Sequence, residues 1–179
     1  MADYHGEDAI YVVSVGDNGL PIVGHAYLYV QDSEGNWYKT EFAGETKRDA
    51  TVKIIDKDET QIQAELSRDG VYFVYIAGDF SDSYDLALKH DGTHYGGYHF
   101  TSNNCLHYVK ALLRAGSPKN LMYEAAIYSL DICPRTFYWS LKEVEALHAW
   151  LQRQRMNSSN RTAIGGTGGG MRCAYTCWQ

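Results

Sequence analysis

No stretch of the 179-residue chain approaches the roughly eighteen consecutive apolar residues of a membrane-spanning helix, so stable membrane insertion is not expected. The opening Met-Ala-Asp-Tyr-His-Gly-Glu-Asp is acidic and lacks the basic-then-apolar pattern of a secretion signal. The expectation is a protein made in the cytoplasm. Basic clusters are missing too, and with a formal charge of −6 a general phosphate-binding surface is excluded, and nucleic acid with it as a partner. Four cysteines, Cys105, Cys133, Cys173 and Cys177, are too few to staple a chain of this length, and they read as free thiols in a reducing compartment. Neither Cys105 with His107 nor Cys173 with Cys177 has the paired spacing of a zinc site, so no metal or other cofactor is expected. Internal repeats are absent.

What is present is material for one core: 45% of the residues are apolar. Tyrosine is abundant, at fifteen residues, and suits both half-buried strands and a ligand-lined cleft. Strands are predicted over Ala9 to Val15, His25 to Gln31, Trp37 to Phe42, Thr51 to Ile55 and Val71 to Ile76, all rich in Val, Ile and Tyr. Gly16-Asp17-Asn18-Gly19 and Asp32-Ser33-Glu34-Gly35-Asn36 are turn formers, which makes the first three strands an antiparallel meander. A helix over Glu59 to Arg68, with Ile62 and Leu66 four apart, stops at Gly70.

The second half is helical. Ser81 or Ser83 caps a short helix through Leu88, and Asn103 or Asn104 caps one whose Leu106, Val109, Leu112 and Leu113 share a face ending at Gly116. Asn120 to Leu130 is a further helix. Ser140 with Glu143 forms a capping box for a last helix that frays near Met156. Residues 1–156 therefore read as one domain and 157–179 as a glycine-rich flexible tail, whose end (Met-Arg-Cys-Ala-Tyr-Thr-Cys-Trp-Gln) is either a docking peptide for a partner or simply unordered. A Cys173–Cys177 disulfide would need an oxidised, tightly turned tail, and Cys133 before Pro134 reads as a buried structural thiol.

Cys105 carries the chemistry. In Ser-Asn-Asn-Cys-Leu-His-Tyr-Val it occupies a helix N-terminus, where unpaired amides and the helix dipole favour the thiolate. A thiol nucleophile also needs a base oriented by a third polar group. Of the seven histidines, His5, His90, His94 and His148 lie in a terminus, a polar loop or the late helix, and His107 is about 200° around the helix from Cys105. His25 follows Val23-Gly24 at the start of an alternating strand, where a rigid sheet would hold its ring and Gly24 would allow close backbone approach.

Gly-His-Ala-Tyr-Leu-Tyr-Val on a strand, a second strand after a hairpin, and Asn-Asn-Cys opening a helix after the sheet together resemble the circularly permuted NlpC-type papain-like fold, the group of lecithin:retinol acyltransferase-like proteins. The resemblance covers about His25 to Gly116. It implies an α+β fold in which an antiparallel sheet packs against the Asn-Cys helix, with extra C-terminal helices, and no cofactor. Cys105 becomes the nucleophile and His25 the general base, later the general acid. The third polar residue falls on the strand paired with the histidine strand. A hairpin centred on Glu34 and Gly35 sets residues 40 to 42 opposite Tyr27, so Glu41 is the choice and Thr40 the fallback, where many relatives carry histidine. The Cys105 amide would hold an oxyanion, helped by a side-chain donor, Tyr27 or Asn104, the latter also a natural cap. Gly78 to Thr101, with Tyr84, Tyr95 and Tyr98, would wall the cleft. The implied activity is a cysteine hydrolase, amidase or acyltransferase acting on a peptide, lipid or other acyl substrate. Similar domains also serve as toxin effectors delivered elsewhere. The alternative is a non-catalytic peptide- or glycan-binding module on the same scaffold.

Overall fold

A computed structural model describes residues 8–15, 24–44, 48–99, 102–129 and 133–164, with side chains to 156. The Gly16–Gly19 turn, His5, the glycine-rich segment and Cys173 and Cys177 lie outside these residues. Strands β1 (Ala9–Ser14), β2 (His25–Gln31), β3 (Trp37–Ala43) and β4 (Thr51–Lys57) precede helix α1 (Glu59–Leu66) and strand β5 (Val71–Ile76). All adjacent pairs are antiparallel, in the order β4-β3-β2-β1-β5. The β2–β3 register depends on one turn: Asp32 Oδ1 accepts the amides of Glu34 and Asn36, each at 2.9 Å, and this sets Tyr27 opposite Glu41.

The two central strands are buried on both faces, which is why they read as near-continuous apolar runs. Ala9, Tyr11, Val13, Ala26, Leu28 and Val30 face one core, and Ile10, Val12, Tyr27 and Tyr29 face the other with Ile62 and Leu66 of α1. Helix α2 (Ser81–His90) and helix α3 (Cys105–Ala115) cover the first face. Strand β6 (Gly78–Asp79), just before α2, pairs with β7 (Ser117–Pro118), just after α3, and the short helix α4 (Leu121–Ile127) is capped by Asn120.

Three local expectations change. Neither Ser81 nor Ser83 caps α2: Ser81 Oγ bonds Asp79, and buried Ser83 donates to the Leu112 carbonyl at 2.7 Å, tying α2 to α3. The last helix, α5, spans Pro134–Ile164 and does not begin at Ser140. Its first turn is built on Pro134 and the Cys133 carbonyl, and Phe137 already packs on the core ahead of the capping box, on a stripe continued by Leu141 and Val144. The Tyr11 hydroxyl secures that turn, donating to the Pro134 carbonyl at 2.8 Å. Cys133 is half-buried. Residues through Val144 form one compact unit, and α5 from Glu145 belongs to a second. Among the described residues no helix is long and apolar enough to cross a membrane.

Helix α3 ends at Gly116 for a packing reason. Its φ of −81° suits any residue, but a Cβ there would lie 2.2 Å from Phe80 Cδ1. Gly116→Ala should therefore cost about 1–3 kcal/mol through overpacking, read as a lowered urea midpoint with an unchanged slope.

Candidate active site

The site begins with a helix cap. Asn104 is extended (φ −129°, ψ −176°), and its Oδ1 accepts the amides of Leu106 (2.9 Å) and His107 (3.1 Å), which fixes where α3 starts. Cys105 follows as the first helical residue, only 4% exposed. Its Sγ lies 3.5 Å from the backbone amide of Ala26 on β2, so the thiol is docked against the sheet.

His25 opens the same strand. Gly24 before it has a φ of +54°, and a Cβ there would sit 2.7 Å from Val13 Cγ1, so the chain enters the strand by a path that only glycine follows without strain. The imidazole Nε2 lies 3.1 Å from Glu41 Oε2 on β3. The His25 ring and the Cys105 thiol are near enough that each shifts the other's protonation, while Ala26, the next residue of β2, brings its amide to the sulfur.

The electrostatics follow from these contacts. Burial opposes the His25 cation, but hydrogen bonds and charge from Cys105 and Glu41 outweigh it and raise the pKa from 6.5 to about 9. Burial likewise pushes the Cys105 thiol up, while the His25 hydrogen bond, its charge and the amides of Ala26 and Leu106 bring the net shift below the ordinary value. Glu41 is also lowered: burial raises it, and His25 and Lys39 more than compensate. The arrangement favours a thiolate–imidazolium pair with a carboxylate behind the ring, which is the charge state of an attacking thiol.

The remaining residues sort by sheet face. Thr40 is on the far side from His25, buried and within 2.6 Å of the Tyr108 hydroxyl, so it cannot replace Glu41. Tyr27 lies beside the His25 ring, centroids 6.0 Å apart, and burial, followed by the charge of Glu65, holds its hydroxyl well above the usual range. Asn104 Oδ1 also faces His107 Nδ1 at 3.0 Å, and this holds His107 on the cap, away from the thiol. His94 bonds the Ala50 carbonyl, and His90 packs edge-on against Tyr95. Of the cleft-wall tyrosines, Tyr84 stacks on Tyr38 and Tyr95 packs against Phe42, both supporting the core. Tyr98 is the one of them that senses the nucleophile: burial first, and then the charge and side chain of Cys105, push its hydroxyl up to about 12, against a smaller opposing effect of the Cys105 backbone. Asn103 fastens that loop, its Nδ2 donating to the carbonyls of Tyr95 (2.6 Å) and Gly97 (2.7 Å).

Sequence reasoning missed Lys39 and Glu65. Lys39 Nζ lies 3.5 Å from Glu41 and 2.8 Å from Glu65, and Glu65 also accepts the Tyr29 hydroxyl at 2.7 Å. The strand period held part of the signal, since residues 39 and 41 share a face with 25, 27 and 29 across the meander. A polar cleft of about 240 Å³ opens there, lined in part by His25, Tyr27, Lys39, Glu65 and Arg68.

No family model matches the chain, and no curated protein does. A solved structure does. The chain is similar in fold to the type VI secretion system effector TseH. That crystal structure superposes with a TM-score of 0.50 over 78% of this chain and 90% of its own, at 16% sequence identity. The likeness bears on the fold alone: an α+β arrangement in which an antiparallel sheet packs against helices.

The pair sets a pH signature. The thiolate fraction rises as pH climbs through the lowered Cys105 pKa, and the imidazolium is lost only near pH 9. Iodoacetamide should therefore alkylate Cys105 faster than Cys133 below neutral pH. His25→Ala should return the thiol to at least its ordinary range and slow that reaction by about tenfold or more, followed by peptide mass spectrometry.

Proposed function

We propose that this chain is a cysteine hydrolase that cleaves an amide, thioester or ester through an acyl-enzyme, and that it works as an effector domain. The observation that carries the reading is the convergence of Cys105, His25 and Glu41 from a helix start and two neighbouring strands: Cys105 and His25 shift each other's protonation, and His25 Nε2 meets Glu41 Oε2 at 3.1 Å. The thiolate attacks the carbonyl carbon and the oxygen takes the negative charge. The Cys105 amide, at the start of α3, is the donor proposed for that oxygen, with the Tyr98 hydroxyl as the candidate second donor. Imidazolium donates its proton to the leaving group as the carbon–heteroatom bond breaks. A water then gives its proton to the neutral imidazole and attacks the thioester, releasing a carboxylic acid and restoring the thiol.

Hydrolysis is preferred to acyl transfer because no feature identified among the described residues marks a second-substrate site. The effector reading rests on the fold shared with TseH, a type VI secretion system effector. The proposed substrate is a peptide or other acyl compound, and the proposed site of action lies outside the cell that makes the protein.

Cys105→Ala should abolish covalent labelling by an acyl probe and hydrolysis of model thioesters, with little change in thermal midpoint. His25→Ala should lower the hydrolytic rate by roughly 10²–10⁴-fold. Intact-mass detection of the acyl adduct on the wild type is the direct check. Alkylation of all four cysteines at one rate, with no adduct, would favour a binding module instead.

A further inference from the structure

We infer that Lys39 is a positioning residue of this site, holding the Glu41 carboxylate in place for His25 while itself anchored by Glu65 of helix α1; the inference rests on the reading of Cys105 and His25 given above. The geometry is a row of alternating charge along one face of the sheet. His25 meets Glu41 at 3.1 Å, Glu41 meets Lys39 at 3.5 Å, and Lys39 meets Glu65 at 2.8 Å. The last three side chains are each about 85% buried, with exposures of 15%, 14% and 14%. The Lys39 ammonium also lies 4.0 Å from the centre of the Tyr27 ring.

Each link limits the next. Glu65 is fixed by the Tyr29 hydroxyl, which donates to its Oε2, leaving Oε1 for Lys39. Lys39 is thereby held between two carboxylates and a ring face, where a long flexible side chain has few other places to go. Glu41 uses the same oxygen, Oε2, for His25 and for Lys39. An oxygen shared in this way cannot rotate toward one partner without leaving the other, so Lys39 restricts the rotamer that faces the ring.

Other charged and titratable groups face this row. Tyr27 and Tyr29 come from β2, Lys53 of β4 is the register partner of Glu41, and Arg68 and Asp69 line the cleft beyond α1. Lys53 is exposed, and among the described residues the ion pairs of Glu41 are those with His25 and Lys39. Lys39 is the cation in contact with Glu41 besides His25 itself, and it is tied down on its far side. A salt bridge serving only to pin α1 to the sheet would need Lys39 and Glu65 alone. The third contact, to the carboxylate behind the imidazole, is what makes Lys39 part of the site.

The test measures Cys105 alkylation against pH in the full chain, alongside thermal midpoints, for Lys39→Met, Lys39→Arg, Glu65→Gln, Glu41→Gln and the double variant Lys39→Met/Glu41→Gln. Lys39→Met should slow alkylation several-fold on the acid limb and move that limb to higher pH, because Glu41 loses a cation that keeps it ionised. Lys39→Arg should restore most of the rate, and Glu65→Gln should reproduce a smaller part of the loss. The double variant should lose no more than Glu41→Gln alone, since Lys39 acts through that carboxylate. A Lys39→Met protein with a lower thermal midpoint but a wild-type pH profile would overturn the inference and leave a structural ion pair. Fully multiplicative losses in the double variant would overturn it as well. If Glu41→Gln and His25→Ala themselves leave alkylation unchanged, the reading of the site fails and the role of Lys39 fails with it; slowed alkylation in those two beside an unaffected Lys39→Met sinks the Lys39 inference alone.

Discussion

Everything at the site depends on keeping an ionised pair together when its thiol is buried and its imidazole is only partly exposed. Burial works against both members, raising the thiol and lowering the imidazole, and each is rescued chiefly by the other. That mutual rescue works only at hydrogen-bond range, so the fold has to deliver a helix start and a strand start to one point. The Ala26 amide, 3.5 Å from the sulfur, is the local sign that α3 is seated on the sheet at the required depth. The Asn104 cap and the tie from Ser83 to the Leu112 carbonyl set where α3 begins and how it lies against α2.

Much of this was legible before any coordinates. The five strands, the Asn-Cys helix start and the placement of residue 41 opposite residue 27 follow from period-two patterning and one Asx-type turn, which are local signals. The misreadings came where a nearby motif imitated a stronger one. Ser140 and Glu143 have the spacing of a capping box, yet they sit inside a helix whose true first turn is set by a proline and by core contacts of Phe137. Ser83 looked like a cap because serine is a common cap, while its burial against a carbonyl 29 residues away was invisible to local reasoning.

Lys39, Glu65 and Tyr98 were harder for a different reason. Each acts through a contact that depends on how a helix or loop packs over the sheet, and no spacing encodes that. Glu65 reads as one of several polar residues on a short helix, and only the depth of Ile62 and Leu66 in the second core turns it toward Lys39. Tyr98 sits in a stretch with three other tyrosines within fifteen residues of chain or less, two of which support the core. Aromatic composition suggested a cleft wall, and packing separated the one hydroxyl that senses the thiol.

The shared fold with TseH, at 16% identity, bears on the scaffold and leaves the side chains to be argued from this chain. The choice of the third residue is the instructive case. Where the resembling family often has histidine, this chain has a carboxylate, and a carboxylate brings a full negative charge to a half-buried position. That charge favours the imidazolium, which suits an attacking thiolate, but it also creates a burial cost that a neutral partner would not. A cation on the other side of Glu41 offsets that cost, and Lys39 stands there, with Glu65 in turn satisfying Lys39. The alternating row is therefore a consequence of placing glutamate at position 41: once an acid is placed behind the ring, the sheet face must supply its counter-charge, and helix α1 becomes part of the site's support.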